Sequence, residues 1–371
     1  MIEMYKFLLL EEVETRIGSY HGFVLELLKC INNLPNLESI EHLTDEEKEL
    51  RFKTDFQVVI DELKTLKKNE TVAATNHSFI KVATKTDLKK YITKLKYEEY
   101  NILKKYMDLT NNYENILSNL YKDSTEYSTS LQHSFTYLYE KLLKTKVFNE
   151  VIGNKDKLAI NEFKNLLLLD HNVCPYCDWH EIEKAGVSID HFLPKSKFPL
   201  FSIYPKNLVM SCPTCNDRIK GDRIKLPIFH PYYDEVANYF KFRLVNEEIK
   251  ISFVKGINPL DKKKAENFLS LFKVETRFNE NGMAKKLDNF YRDIRNDVYN
   301  ELKKNEVTLE DIKLRITSEF KRHVDRLIEN KRKSALTKLK LDYLEQINNP
   351  KEIDIVSRMI NFDIKNFQEG D

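Results

Sequence analysis

Glycine is scarce in this chain, with only eight, scattered, among 371 residues. Neither G-x-G-x-x-G nor G-x-x-x-x-G-K-[ST] occurs, which excludes a Rossmann dinucleotide site and a P-loop. G-x-S-x-G and H-E-x-x-H are missing too, so the simplest serine-hydrolase and zincin chemistries fall away. No self-similarity at solenoid periods is present, which argues against a repeat architecture. No apolar run approaches the ~18 residues of a membrane span. The short run in MIEMYKFLLLEEVE is broken by Glu11 and Glu12 and does not read as a signal peptide. The expected location is therefore the cytoplasm, with no membrane partner. Charge of one sign is also lacking: 60 Lys and Arg face 58 Asp and Glu, for a net +2. A protein that coats nucleic acid would be far more basic, so any such contact must come from a local patch.

What is present is a soluble balance, 42% hydrophobic and 32% charged, in a chain long enough for about two to three domains. Residues 1–169 read as helical. Leu9, Val13, Ile17, Phe23 and Leu27 lie close to a helical stripe, and Thr44 with Glu47 forms a capping-box pattern before a second helix to about Lys68. Thr86-Asp87 opens a long helix through Tyr106, and further helices are predicted over Ser124–Lys146 and Asp156–Leu169. Between His171 and Asp234 the helical period disappears, and seven of the ten prolines fall there. Phe240–Val245 and Ile249–Val254 alternate apolar and polar residues around Asn246-Glu247-Glu248 and predict a hairpin. Helices return at Ala265–Phe272, Lys285–Lys304 and Glu310–Ile328. Three regions are expected: 1–169 helical, 170–235 a compact module, and 236–371 a hairpin followed by helices.

Four of the five cysteines form two C-x-x-C pairs, Cys174/Cys177 and Cys212/Cys215; Cys30 stands apart and reads as a buried thiol. In a cytosolic chain such pairs read as metal ligands rather than disulfides. Four thiolates in tetrahedral geometry suit a structural Zn²⁺, which would clamp a module with too little core to fold alone. The stretch between the pairs is longer than in a simple zinc ribbon, so something is inserted between the knuckles.

That insertion carries Ile189-Asp190-His191 and Pro194, then Asn207-Leu208, and the second pair runs into Asn216. The order C-x-x-C, D-H-x-x-P, N-L, C-x-x-C-N, followed by a basic residue, resembles the HNH endonuclease family over roughly 60 residues. Each element is weak alone; five in this order are specific. The resemblance implies a fold that is mainly α with a small α+β insert: a central zinc-stapled ββα-metal module between two helical regions. It implies His191 as general base, with Asp190 and Asn216 binding a catalytic Mg²⁺ or Mn²⁺. It also implies that Asn207 holds the loop and orients the histidine. The chemistry agrees, because a neutral imidazole accepts a proton from water near pH 7 and oxygen donors suit a hard cation. On a strand, Asp190 and His191 would point to opposite faces. Simpler roles stand beside these: a helix N-cap for Asn216 and a turn residue for Asn207.

Lys195, Lys197, Lys206, Arg218, Lys220, Arg223 and Lys225 crowd the same segment and form a candidate phosphate-binding patch. His230, in Phe229-His-Pro-Tyr-Tyr-Asp234, is an accessory candidate, with packing as its alternative. The expected activity is metal-dependent hydrolysis of nucleic acid, DNA favoured. The alternative is a catalytically silent zinc module that binds nucleic acid or a protein. Helical flanks of mixed charge suggest docking to a protein partner. By resemblance to effectors of bacterial anti-phage defence, a partner such as an ATPase or a guide complex is expected to control cleavage.

Overall fold

The computed structural model describes scattered positions between 21 and 54, residues 102–123, scattered positions between 127 and 139, and residues 171–370. The predicted helices over Lys6–Leu34, Asp156–Leu169 and most of Thr86–Tyr106 lie largely outside the described residues, as does Cys30. Of the predicted capping box, both halves form: Glu47 N donates to Thr44 Oγ1 (3.3 Å) and Thr44 N to Glu47 Oε2 (2.8 Å). The described chain is mostly helical with two small antiparallel sheets. None of its described helices is long and apolar enough to cross a membrane.

Two compact units divide the chain. One holds Gly186–Tyr232 together with the described residues that precede 171. Helices α1 (Ile102–Asn111) and α2 (Tyr113–Leu117) bury Ile102, Tyr106, Leu109, Tyr113, Ile116 and Leu117. Strands β1 (Ser188–His191) and β2 (Leu208–Ser211) pair antiparallel, Asp190 opposite Val209 and His191 opposite Leu208. Two short 3₁₀ turns, Pro199–Ile203 and Pro205–Asn207, join them; each has proline at its first position, where a missing N–H costs nothing. After β2 comes a π-helix, Thr214–Lys220, closed by Gly221 N donating to Asn216 O at 2.7 Å. Gly221 has φ +54, the left-handed region that favours glycine.

The other unit comprises His171–Ala185 and Tyr233–Asp371. The predicted hairpin forms as β3 (Phe240–Val245) and β4 (Glu248–Phe253), with Asn246 and Glu247 both at positive φ in a two-residue turn. A two-stranded hairpin is marginal alone, and its open edges invite foreign strands. Here helix side chains cover both edges. Phe242 N donates to Asp342 Oδ2 (2.8 Å), and Gln346 both accepts from Leu244 N and donates to its carbonyl. On β4, Asn279 brackets Ile249 in the same way and Glu275 accepts from Ile251 N.

Six helices follow: α3 (Pro259–Leu271), α4 (Val274–Glu280), α5 (Met283–Leu302), α6 (Leu309–Glu329), α7 (Thr337–Ile347) and α8 (Pro350–Gly370). The chain is helical from Asn258 onward as expected; α3, α5 and α6 overlap the three pieces singled out, the latter two to within two residues, while α4, α7 and α8 had no bounds assigned. In α6, Thr308 and Asp311 close a reciprocal capping box, and Ile312, Ile316 and Phe320 form the buried stripe. Val356, Ile360 and Ile364 line the buried face of α8, which packs on α6.

Candidate active site

Alternation along β1 separates its side chains. Ser188 and Asp190 face the π-helix, and His191 faces the 3₁₀ turn Pro199–Ile203. His191 Nε2 lies 3.1 Å from Ser202 O, so it carries the proton and donates, which leaves the Nδ1 lone pair as the basic atom. The Tyr139 ring packs edge-on to the imidazole at 4.2 Å, and Lys195 Nζ sits 5.7 Å over that tyrosine. Burial pushes the His191 pKa down to about 3; the Ser202 contact opposes this, while the Lys195 and Lys220 charges add to it. The imidazole is therefore neutral.

Asn207 is fully buried, and its amide is saturated. Oδ1 accepts from Leu193 N (2.7 Å) and Tyr113 Oη (2.8 Å); Nδ2 donates to Leu193 O (3.0 Å) and Phe201 O (3.1 Å). Phe201 is the neighbour of Ser202, so this amide fixes the turn that holds His191.

On the other face, Asn216 Nδ2 donates to Ser188 Oγ at 2.6 Å. Lys220 Nζ donates to Asp190 Oδ1 (2.8 Å) and to His191 O (2.7 Å). Both members of that ion pair are buried. Asn216 and Lys220, four residues apart in the π-helix, meet the same face of β1. The structure corrects one sequence expectation here: Lys220 is not a surface phosphate contact but a buried cation on Asp190. Lys197, Lys206, Arg218, Arg223 and Lys225 are exposed, and Lys195 is half-buried. His230 is buried against Phe192 and Tyr113, with Nδ1 accepting from Tyr232 N at 3.1 Å. Burial holds its pKa well below the ordinary value. That is the packing role rather than an accessory one.

Cys174, Cys177, Cys212 and Cys215 are buried free thiols whose sulfurs all lie within 4.8 Å of one another, a group that could hold a metal ion. Four sulfur donors suit a structural zinc. A second cluster, Asp297, Glu319 and His323, is different in kind: Arg315 and Arg322 already pair with Glu319, so it reads as an ion-pair network.

Residues 174–222 match the family described as HNH endonuclease. This segment is an HNH endonuclease domain. Two curated relatives resemble parts of the chain. Protein ea31 of Escherichia phage lambda is 35% identical over 100 residues, 26% of this chain and 32% of that protein. The Septu protein PtuB of Bacillus thuringiensis is 31% identical over 123 residues, 32% of this chain and 47% of that protein. The alignments thus span less than half of either relative. No solved structure matches.

Sequence reasoning missed the supports of the HNH domain. Ser202 acts through its carbonyl, which no side-chain pattern reveals. Tyr113 lies 94 residues before Asn207, beyond any motif. The role of Lys220 had one available signal: a basic residue in the turn after C-x-x-C-N, read as surface charge.

Proposed function

We propose that the chain is a metal-dependent endonuclease whose working module lies within 170–235, flanked by helical regions 1–169 and 236–371. The observation that carries this reading is His191, neutral, held by Ser202 O and backed by the saturated Asn207 amide. Nδ1 takes a proton from water as the water oxygen bonds to phosphorus and the P–O3′ bond breaks. The departing oxygen is protonated from solvent, leaving a 5′-phosphate and a 3′-hydroxyl. An imidazole of low pKa is a weak base, and the negative phosphodiester strengthens it by favouring the imidazolium.

The donors of Asp190 and Asn216 fit a hard divalent cation: one carboxylate and one amide oxygen on the same face of β1, with water and phosphate oxygens to complete the shell. Bound there, Mg²⁺ or Mn²⁺ would neutralise charge on the leaving oxygen. Lys220, bonded to Asp190 Oδ1, holds that carboxylate in place. The exposed Lys197, Lys206, Arg218 and Arg223, with half-buried Lys195, would take the phosphate backbone, which positions a strand without reading its sequence. DNA is the favoured substrate. Likeness to the Septu protein PtuB supports a role in anti-phage defence, in which a protein partner, an ATPase by our reading, releases the activity.

The test is cleavage of supercoiled plasmid and of labelled single-stranded DNA and RNA, by wild type and His191→Ala of known zinc content. EDTA, Mg²⁺ and Mn²⁺ are compared, with and without cell extract as a source of partner. Metal-dependent nicking lost in the variant supports the reading. Cleavage that persists in His191→Ala removes His191 as the base. A folded, zinc-loaded protein inert in every condition favours the silent binding module.

A further inference from the structure

In the helical unit a cavity of about 400 Å³ opens between α5, α6 and α7. Phe290 of α5 and Leu327 of α6 give it apolar surface; Arg326, Lys333 and Lys340 give it three cations. Asn330, Ser334 and His323 complete the lining, and no carboxylate is among the lining residues. Lys340 Nζ lies 5.5 Å over the Phe290 ring, so charge and aromatic face adjoin. The C-terminal end of α6 attracts a cation and accounts for Arg326 there. It does not account for Lys333 and Lys340 converging on the same hollow.

The cavity wall is fixed rather than loose. Between α6 and α7 the chain turns with Arg332 and Leu336 at positive φ. Asn172 N and Val173 N donate to Arg332 O (2.8 and 3.1 Å), Leu336 N donates to Asp178 O, and Lys338 N to Asp178 Oδ2 (2.9 Å). The first C-x-x-C knuckle, Cys174 to Cys177, therefore lies between the two points that anchor this wall.

We propose that this cavity binds a nucleoside phosphate, its phosphates on Arg326, Lys333 and Lys340 and its heterocycle against Phe290. The volume is in the range of small-molecule sites, and far more than one inorganic phosphate fills. Three cations lining one hollow concentrate anions even with Asp178 and Glu181 acting on Lys340 and Glu319 pairing with His323, and guanidinium grips phosphate in a two-pronged geometry. An aromatic face beside them supplies the stacking that inorganic phosphate cannot use. Free nucleotide and the phosphorylated end of a nucleic acid share this chemistry. Occupancy would press on the segment that holds the first knuckle, a route by which a small molecule reaches the HNH domain.

The experiment is calorimetric titration of the full-length chain with ATP, ADP, AMP, pyrophosphate and a 5′-phosphorylated dinucleotide. It is repeated on Arg326→Ala and Lys333→Ala; both positions are exposed, so the fold is spared. Expected is binding of at least one nucleotide, weakened at least tenfold in each variant, with pyrophosphate weaker than the nucleotide by a similar factor. Free nucleotide binding better than the dinucleotide identifies a soluble ligand; the reverse identifies a strand end. No binding by any probe overturns the proposal. So does binding that survives both substitutions, or pyrophosphate binding as tightly as ATP. Because the readout is binding, failure of this site and failure of the nuclease reading are separable.

Discussion

Asn207→Ala removes four hydrogen bonds at one fully buried position. Each buried group left unpaired costs about 1–3 kcal/mol. Tyr113 Oη can turn to another partner; the backbone groups of Leu193 and Phe201 have less freedom. Counting two or three stranded groups gives about 4 kcal/mol, a large part of the 5–15 kcal/mol that holds a typical domain. For a unit of about 150–250 residues this lowers Tm by roughly 10 °C. Cleavage should fall further than stability, because the turn carrying Ser202 O loses its tie and a 1 Å error in the base costs about 10²-fold. Asn207→Asp sharpens the test. Its carboxylate still accepts from Leu193 N and Tyr113 Oη but sets a negative oxygen against the carbonyls of Leu193 and Phe201. Protonation supplies one donor, so the folded-state pKa of the new carboxyl is raised. Part of the stability should return as pH falls through that raised value. The assays are urea unfolding from pH 5 to 8 and plasmid nicking below the unfolding range. An unchanged Tm in Asn207→Ala would refute the hydrogen-bond reasoning, as would an Asn207→Asp defect independent of pH.

Three further perturbations follow from the same geometry. Lys220→Met strands the buried Asp190 carboxylate and should cost about 3–5 kcal/mol in urea unfolding; Asp190→Asn with Lys220→Met should recover most of it, and equal stability of the single and double variants counts against a paired charge. For His191, the folded pKa of about 3 lies below the ordinary 6.5, so its contribution to stability is complete above pH 6.5 and is lost as pH falls from there toward 3. Relative to His191→Gln, wild type should lose stability across that window, and a flat difference would show that the imidazole is not buried neutral. Cys212→Ser should release the metal, read by zinc quantification, and disorder the HNH domain; a zinc-free variant that still unfolds cooperatively would sink the clamp.

The composition and motifs by themselves determined the fold class, the paired cysteines, the Asp190-His191 strand and the hairpin at Asn246-Glu247. Those features depend on residue type and short spacing: thiols in pairs, a period of two, a polar break between alternating runs. Tertiary structure decided the rest, because the deciding contacts join residues far apart in sequence. Lys220 looks like any surface lysine until the fold buries it on Asp190. His230 looks chemical until Phe192, Tyr113 and Tyr232 enclose it. Ser202 meets His191 through a carbonyl, and Tyr113 meets Asn207 because α2 packs there. The cationic cavity draws its charges from α6, the turn after it and α7, and these, read in line, merge into a chain of nearly balanced charge. Sequence fixes which charges and hydrogen-bonding groups exist; burial and distance decide which of them meet, and an electrostatic contact has no meaning before that.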